Sequence, residues 1–188
     1  MYIELHAASA FSFLQGASLP ETLIERAADL GYPALALLDA DGVYGAPRFH
    51  KAAAKAGLRA IIGAELTIEA TGGAARTAPH RWRLPVLVAS AEGYRHLCRL
   101  VTKMKLRAAK GEGALQVEEL DGCTSGLVAL PGRALLDAQH YGVGGLLDRL
   151  VGIFGRGNLH VDVQRHLLRD EESDNAALAQ LAQQAATN

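Results

Sequence analysis

The first 70 residues alternate between two kinds of apolar pattern. Residues 2–5 alternate in polarity as a short strand does, residues 34–38 are apolar throughout, as in a strand buried on both faces, and residues 59–68 predict a third strand. Residues 18–30 and 48–56 carry apolar side chains at helical spacing. The resulting order of strand, helix, strand, helix, strand predicts an α/β fold with parallel pairing.

Small and polar residues mark where these helices begin and end. Ser18 and Glu21 have the three-residue spacing of a capping box, which predicts that Ser18 caps the first helix. Gly31 and Gly57 each follow a helical pattern, and glycine is common just after the last helical residue. We therefore expect both helices to end at a glycine.

The second half of the chain continues the alternation less regularly. Residues 71–83 contain two adjacent glycines and many small side chains, which predicts an exposed loop or the tip of a hairpin. Residues 91–105 predict a helix. Its expected inward-facing residues are Tyr94, Leu97, Cys98 and Val101. The other predicted strands are residues 84–89, 126–131 and 159–164, and the other predicted helices are residues 144–154 and 170–186.

Bulk composition narrows the class of protein. With 188 residues, 49% of them hydrophobic, the chain can bury a core, and we expect a single domain over residues 1–188. The net charge is -1, so charge alone gives no attraction to nucleic acid. The two distant cysteines, Cys98 and Cys123, make no zinc knuckle, and without a secretory leader they indicate a cytoplasmic protein. No apolar run is long enough to cross a bilayer.

Polar side chains stand where the first three predicted strands end. His6 and Ser9 follow the first strand, Asp39 follows the second, and Glu65 lies on the third. In a chain of alternating strands and helices, the carboxyl ends of the strands meet at one edge of the sheet, where sites are built. The sequence therefore predicts a cleft into which His6 and Ser9 face.

Residues 4–16 resemble the first motif of the polymerase and histidinol phosphatase (PHP) domain, found at the N-terminus of bacterial DNA polymerase III alpha subunits. The strings Phe-Ser-Phe-Leu and Gln-Arg-His point to the error-prone paralogue of those subunits. The resemblance implies a distorted, TIM-like barrel of seven strands. Family members continue with an Asp-x-His motif where this chain stops, so the resemblance also implies an incomplete barrel and an N-terminal fragment of a larger polymerase chain. The other matching segments are residues 30–39, 63–66, 92–102 and 154–166.

The resemblance also implies where a metal site would be. In active PHP domains a cluster of divalent metals hydrolyses phosphate esters, and here zinc, manganese or magnesium would serve if the site were retained. His6, Glu65 and, in a looser match, His80 stand at ligand positions, while Asp39 precedes one. The ligand positions that are lost are Ala8, Gln15 and Ala40. Since zinc needs at least three protein ligands, we expect a vestigial, metal-free site, with His6, Asp39 and Glu65 as the candidate catalytic residues.

Each of these candidates also has a structural interpretation. His6 can end its strand by hydrogen bonding a neighbouring loop, and His80 can be an exposed loop histidine. Glu65 can pair with Arg59 or cap a helix. The Asp-x-Asp-Gly sequence formed by Asp39 and Asp41 is ordinary turn chemistry, although two nearby carboxylates also serve as acid and base.

Three functions are consistent with these observations. The first is a catalytically silent PHP domain that acts as the N-terminal scaffold of an error-prone polymerase, with the remainder of that chain, and a proofreading exonuclease or other repair proteins, as partners. It would reach DNA only through the full-length polymerase, and no membrane is expected. The second is a metal-dependent phosphoesterase or 3′-to-5′ exonuclease with a reduced site of His6, Glu65 and His80. The third is a free-standing interaction module. Missing barrel strands would leave an exposed sheet edge, which predicts self-association.

Overall fold

Five strands form the sheet around which the chain is arranged. The computed structural model describes residues 2–70, 80–109, 111–136, 145–169 and 171–187. The strands lie side by side in sequence order. They are β1 (Glu4–Ala7), β2 (Ala34–Ala40), β3 (Arg59–Ala70), β4 (His80–Val88) and β5 (Leu127–Ala129).

The direction of the strands is mixed. β1, β2 and β3 are mutually parallel, which confirms the predicted pairing, and the register places Ala40 of β2 opposite Glu65 of β3. β4 is antiparallel to both β3 and β5. The seven-stranded barrel is not confirmed, since the described strands form an open sheet of five. An α/β fold is confirmed.

Five helices accompany the strands in the described residues. They are α1 (Pro20–Asp29), α2 (Ala46–Ala56), α3 (Ala91–Leu106), α4 (Gly145–Phe154) and α5 (Glu171–Thr187). The predicted helices are all present, although α2 begins two residues earlier than expected. Gly57 ends α2 with a positive φ of 72°, and Gly31 follows α1 with a φ of 70°, as the sequence predicts.

β2 is buried on both faces, as its continuous apolar run predicts. Leu35 and Leu37 pack with Phe49 and the other apolar residues of α1 and α2. Ala36 and Leu38 face the opposite side of the sheet. Helices therefore cover one face of β2, and the buried Asp39 stands near its carboxyl end.

The largest core lies where β3 and β4 meet α3 and α4. Leu66 of β3 and Leu84 of β4 are fully buried there, together with Leu97 of α3 and Leu150 of α4. The long β3–β4 hairpin thus joins the two halves of the chain into one packed body. It also fixes the position of Glu65, which the site uses.

The predicted capping box at α1 is wrong. Leu19 precedes the helix, and its first residue is Pro20, with no side-chain hydrogen bond at this end. Proline lacks the N–H that a cap would satisfy, and its fixed φ suits the first helical position. Glu21 instead accepts from the Arg48 guanidinium of α2, with an Oε1 to Nε distance of 2.6 Å.

The predicted loop over residues 71–83 is wrong in its last part. Residues 80–83 belong to β4, where Arg83 lies opposite Thr67 and Trp82 opposite Ile68. The sequence from His80 to Leu84 alternates in polarity, and the buried Trp82 follows that period. Residues 71–79 lie outside the described part of the chain.

The predicted strand over residues 159–164 is reduced to a single bridge. Leu159 pairs with Ala129, and the backbone N–H groups of His160 and Asp162 donate to the carbonyls of Ala129 and Pro131. Pro131 has no N–H to return, so the ladder beside β5 cannot continue as a regular strand. This extended segment brings Asp162 to the carboxyl ends of the parallel strands.

The apolar stripe of α3 differs from the predicted one. Leu97 is buried and Val101 packs against the same core, as expected, but Tyr94 is exposed, while Leu100 and Met104 are fully buried. Gly93, Leu97, Leu100 and Met104 recur every three or four residues and form the true inward face. Tyr94 follows the buried Gly93 by one residue, which places it off this inward face.

No helix in the described ranges is long and apolar enough to span a membrane.

The outer edge of β1 predicts self-association of this chain. In the described residues β1 pairs with β2 on one side only, and Tyr2 and Ile3 beside it are exposed. An unpaired edge with apolar neighbours recruits a second strand. We expect light scattering to show dimers or larger species as concentration rises, and Ile3→Lys to shift the chain toward monomer, since a charge blocks edge pairing. A wild-type chain that stays monomeric at high concentration contradicts this prediction.

Candidate functional site

The carboxyl ends of the parallel strands bring together the two residues that the sequence places there. His6 lies near the end of β1, and Glu65 lies at the level where β2 ends. His6 Nε2 is 2.6 Å from Glu65 Oε1. The expectation that strand ends gather these side chains is therefore confirmed in geometry.

A second carboxylate holds the other side of the His6 ring. His6 Nδ1 is 2.9 Å from Asp162 Oδ2, and the side-chain amide of Gln164 lies against the same ring nitrogen while donating to Asp162. Both imidazole nitrogens thus face carboxylate oxygens. A neutral imidazole has one donor and one acceptor and can donate to only one of these carboxylates, whereas a protonated imidazole can donate to both.

Protonation of His6 follows from this arrangement. Burial alone lowers the pKa of a histidine, but here hydrogen bonds to Asp162 and Glu65, with the charges of both carboxylates, outweigh it and raise the pKa of His6 to about 9. His6 is therefore an imidazolium at neutral pH. It forms an ion-paired bridge between β3 and the extended segment that carries Asp162.

Raising the pH is expected to remove this bridge. The pKa of His6 is about 9 in the folded chain against 6.5 for an ordinary histidine, so its stabilisation is complete below about pH 6.5 and is lost as the pH rises through about 9. We expect the difference in unfolding free energy between wild type and His6→Gln to shrink by on the order of 2 kcal/mol between about pH 6 and about pH 10. Urea denaturation of both proteins measures it. A difference that stays constant with pH contradicts the bridge.

Ser9 does not face the predicted cleft, and this expectation is wrong. Its side chain is fully buried, and both its N–H and its hydroxyl donate to Asp39 Oδ1 at 2.8 and 2.9 Å. The Ser12 hydroxyl donates to the same oxygen at 2.8 Å. Asp39 is itself buried, because the loop after β1 folds over the end of β2 and uses this carboxylate as its anchor.

Asp39 and Asp41 serve different partners. Asp41 accepts from the N–H and the hydroxyl of Thr67, each at 2.7 Å, and from Arg83 at 2.7 Å. Its φ of 51° is one that aspartate tolerates in turns. The two carboxylates are thus engaged in separate networks, and the turn interpretation describes Asp41 well.

His80 shares a cavity with His6 and Glu65. The cavity has a volume of about 510 Å³, and its other polar lining includes Arg83 and Arg133. A second cavity of about 670 Å³ lies along β1 and also reaches His6 and Glu65. The sequence predicts that His80 lies in a loop, but the structure places it at the start of β4.

Of the three positions where the resemblance implies a lost ligand, two lie near His6 and Glu65 and one does not. Ala8 lines the second cavity beside His6, and Ala40 lies opposite Glu65 in the β2–β3 register. Gln15 is exposed in the loop after β1 and lines neither cavity. None of these side chains brings a nitrogen or carboxylate ligand to the cluster.

The side chains of the cluster bond to one another in this structure. Across the described ranges, no group of three or more histidine, cysteine, aspartate and glutamate side chains is arranged to hold a metal ion. Both His6 ring nitrogens point at carboxylate oxygens of other segments. The cluster is suited to joining three segments of the chain by charge-assisted hydrogen bonds.

Sequence reasoning missed Asp162 and Gln164. They lie more than 150 residues from His6, in a segment without regular pairing, so no strand-end rule identifies them. The signal was present in the string from Phe154 to His166, since the corresponding alpha-subunit strand has an acidic residue at the position of Asp162. The alternating pattern of residues 159–164 places Asp162 in a strand and does not indicate its contact with His6.

Comparison with known proteins identifies the relatives of this chain. Residues 4–166 match the family described as PHP domain. The error-prone DNA polymerase of Mycolicibacterium paratuberculosis is 40% identical over 199 residues, covering 96% of this chain and 17% of that protein. The error-prone DNA polymerase of Anaeromyxobacter sp. (strain K) is 43% identical over 178 residues, covering 92% of this chain and 15% of that protein. The chain thus spans less than a fifth of the length of these relatives.

Solved structures agree with the fold. A candidate metal-dependent phosphoesterase of Bifidobacterium adolescentis matches with a TM-score of 0.62 and 15% identity, over 96% of this chain and 84% of that chain. At this level of identity the likeness shows the fold alone.

Proposed function

Because the chain belongs to the PHP domain family, we propose that it is a catalytically silent PHP domain that acts as the N-terminal scaffold of an error-prone DNA polymerase. Residues 1–188 form one domain of that longer polypeptide, in the cytoplasm. Its partners are the remainder of the polymerase chain and, through it, a proofreading exonuclease or other repair proteins. DNA synthesis belongs to the remainder, and this domain meets DNA only through it.

The observation that carries the proposal is the double ion pair of His6. Glu65 and Asp162 occupy both of its nitrogens, at 2.6 and 2.9 Å, and the pKa of about 9 keeps the ring protonated. A phosphoesterase needs a metal-bound water or a general base at this place, and an imidazolium saturated by two carboxylates supplies neither. The cluster instead connects β1, β3 and the segment after α4, as a structural role requires.

Sequence identity with longer polymerases supports the proposal that the partner is the remainder of a polymerase chain. Relatives that are 40% identical over nearly the whole chain are named error-prone DNA polymerases, and the matched region is a small part of each. In this domain the fold is kept and His6 is paired with two carboxylates at the strand ends. Such a domain is suited to stabilising a longer polypeptide and to making contacts with it. The alternative, a metal-dependent phosphoesterase or exonuclease using His6, Glu65 and His80, requires metal to displace these ion pairs.

Hydrolysis assays test the proposal. We expect no release of phosphate from p-nitrophenyl phosphate and no shortening of a single-stranded oligonucleotide in the presence of zinc, manganese or magnesium, for wild type and His6→Ala alike. The double variant Ala8→His/Ala40→His is assayed beside them, because it returns two imidazoles near His6 and Glu65. Metal-dependent hydrolysis by wild type that disappears in His6→Ala overturns the silent-domain proposal and favours the enzyme.

A further inference from the structure

The loop after β1 is held rigidly from within. Its Ala10 N–H donates to the Ser18 carbonyl at 2.8 Å and closes the loop, and Gln15 and Gly16 donate to the Ser12 carbonyl at 2.9 Å each. The buried Ser12 hydroxyl donates to Asp39 Oδ1 at 2.8 Å. The hydroxyls of Ser9 and Ser12 therefore point inward, where both donate to Asp39.

Its large apolar side chains point outward. Phe13 is 82% exposed and Leu14 is 90% exposed, while Phe11 beside them is 40% exposed. Leu14 has a φ of 62°, in the left-handed region that leucine rarely adopts. The loop buries Ser9 and Ser12 and exposes Phe13 and Leu14, which is the reverse of the usual distribution of polar and apolar side chains. Exposed apolar groups of this kind mark interaction sites.

The chemistry of the loop favours a protein partner over nucleic acid. Residues 7–19 contain no charged side chain. The Arg48 guanidinium lies 5.9 Å from the Phe11 ring centre and is already paired with Glu21 at 2.6 Å. Binding of single strands needs cations along the phosphates as well as aromatic stacking, so this surface lacks half of what nucleic acid requires.

We propose that Phe11, Phe13 and Leu14 form an apolar docking surface, here named the FFL surface, for the polymerase polypeptide that carries this domain. The inference rests on the proposed function. The relatives are much longer than this chain, which covers 17% of one of them, so most of such a polypeptide is available to cover the FFL surface. The occupant presents an uncharged apolar pocket, since the FFL surface offers no ion pair to it.

A binding experiment tests the surface directly. The labelled 188-residue chain is titrated with the error-prone polymerase polypeptide of the same organism, made without the matching N-terminal region, and fluorescence anisotropy gives the dissociation constant. Phe13→Ser/Leu14→Gly removes the most exposed side chains, and glycine also suits the φ of 62°. Leu106→Ser is the matched control, because Leu106 at the end of α3 is 83% exposed. We expect the double variant to weaken binding at least about tenfold and the control to bind like wild type.

Three other results of the binding experiment would overturn the FFL surface, the scaffold function or the identity of the occupant. Equal binding by all three chains overturns the FFL surface and leaves the scaffold function standing. Absence of binding by the wild-type chain, with a folded polymerase polypeptide, overturns both. A double variant that loses self-association in light scattering while binding the polymerase normally shows that the occupant is a second copy of this chain.

Hydroxyl-radical footprinting tests the FFL surface without the shortened polymerase. Hydroxyl radicals oxidise exposed phenylalanine and leucine side chains, so the 188-residue chain and the full-length polymerase are oxidised in parallel. We expect the oxidation rate at Phe13 and Leu14 to fall at least about fivefold in the full-length protein, because an interface core excludes solvent. Equal rates in the two proteins overturn the FFL surface.

Discussion

Replacing Asp39 by alanine lowers the free energy of unfolding by about 4 kcal/mol. Its carboxylate is 1% exposed and accepts hydrogen bonds from the Ser9 N–H and from the Ser9 and Ser12 hydroxyls. Alanine leaves these donors buried without a charged acceptor, and an unsatisfied buried donor is costly. Urea denaturation followed by circular dichroism measures the loss. The loop that carries the FFL surface is released at the same time.

The matched control for this variant is Asp29→Ala. Asp29 ends α1, is exposed, and accepts no side-chain hydrogen bond from the rest of the described residues, so we expect its loss to change the unfolding free energy by less than about 0.5 kcal/mol. Asp39→Asn keeps one acceptor oxygen and should fall between the two. Equal stability of Asp39→Ala and Asp29→Ala would show that the buried network does not anchor the loop.

Replacing Gly93 by alanine lowers the free energy of unfolding by about 3 kcal/mol or more. A Cβ at Gly93 would lie 1.9 Å from the Gly126 carbonyl oxygen and 2.4 Å from its carbon. That carbonyl cannot move freely, since it accepts from the Ala89 N–H at 2.8 Å. The first turn of α3 therefore needs a residue without a side chain to pack against the start of β5. Thermal and urea unfolding of the variant measure the effect.

Gly152 in α4 provides the same substitution with the opposite expectation. An added Cβ there has nothing within 4 Å, and the position is exposed. Alanine is a better helix former than glycine, so Gly152→Ala is expected to raise the unfolding free energy by about 0.5–1 kcal/mol. Stabilisation by both substitutions would contradict the close approach of α3 to Gly126.

The sequence predicts the frame of this molecule better than its site. Parallel strands end at one edge, which predicts a site there, and family resemblance predicts that His6 and Glu65 belong to it; the two side chains do meet. The reversal at β4 does not follow, because the alternation from His80 onward is short and comes after a stretch rich in glycine and alanine. Local pattern identifies the elements, and the hairpin pairing decides where they lie.

The site depends on contacts that no local pattern encodes. Asp162 reaches His6 from a segment that Pro131 keeps from becoming a strand, and Ser9 turns inward because Asp39 is buried beneath it. Both are consequences of tertiary packing. The family resemblance indicates the missing imidazoles at Ala8 and Ala40, but it does not predict that two carboxylates pair with His6.

Metal content measured against protein concentration tests the central claim most directly. The chain is purified without chelator and analysed by inductively coupled plasma mass spectrometry, beside His6→Ala prepared identically. If His6 is an imidazolium held by Glu65 and Asp162, both proteins contain only traces of zinc, manganese and iron, well below one ion per chain. Stoichiometric metal in the wild-type chain that is lost in His6→Ala would contradict the account, since His6 would then be a ligand and the domain an enzyme candidate.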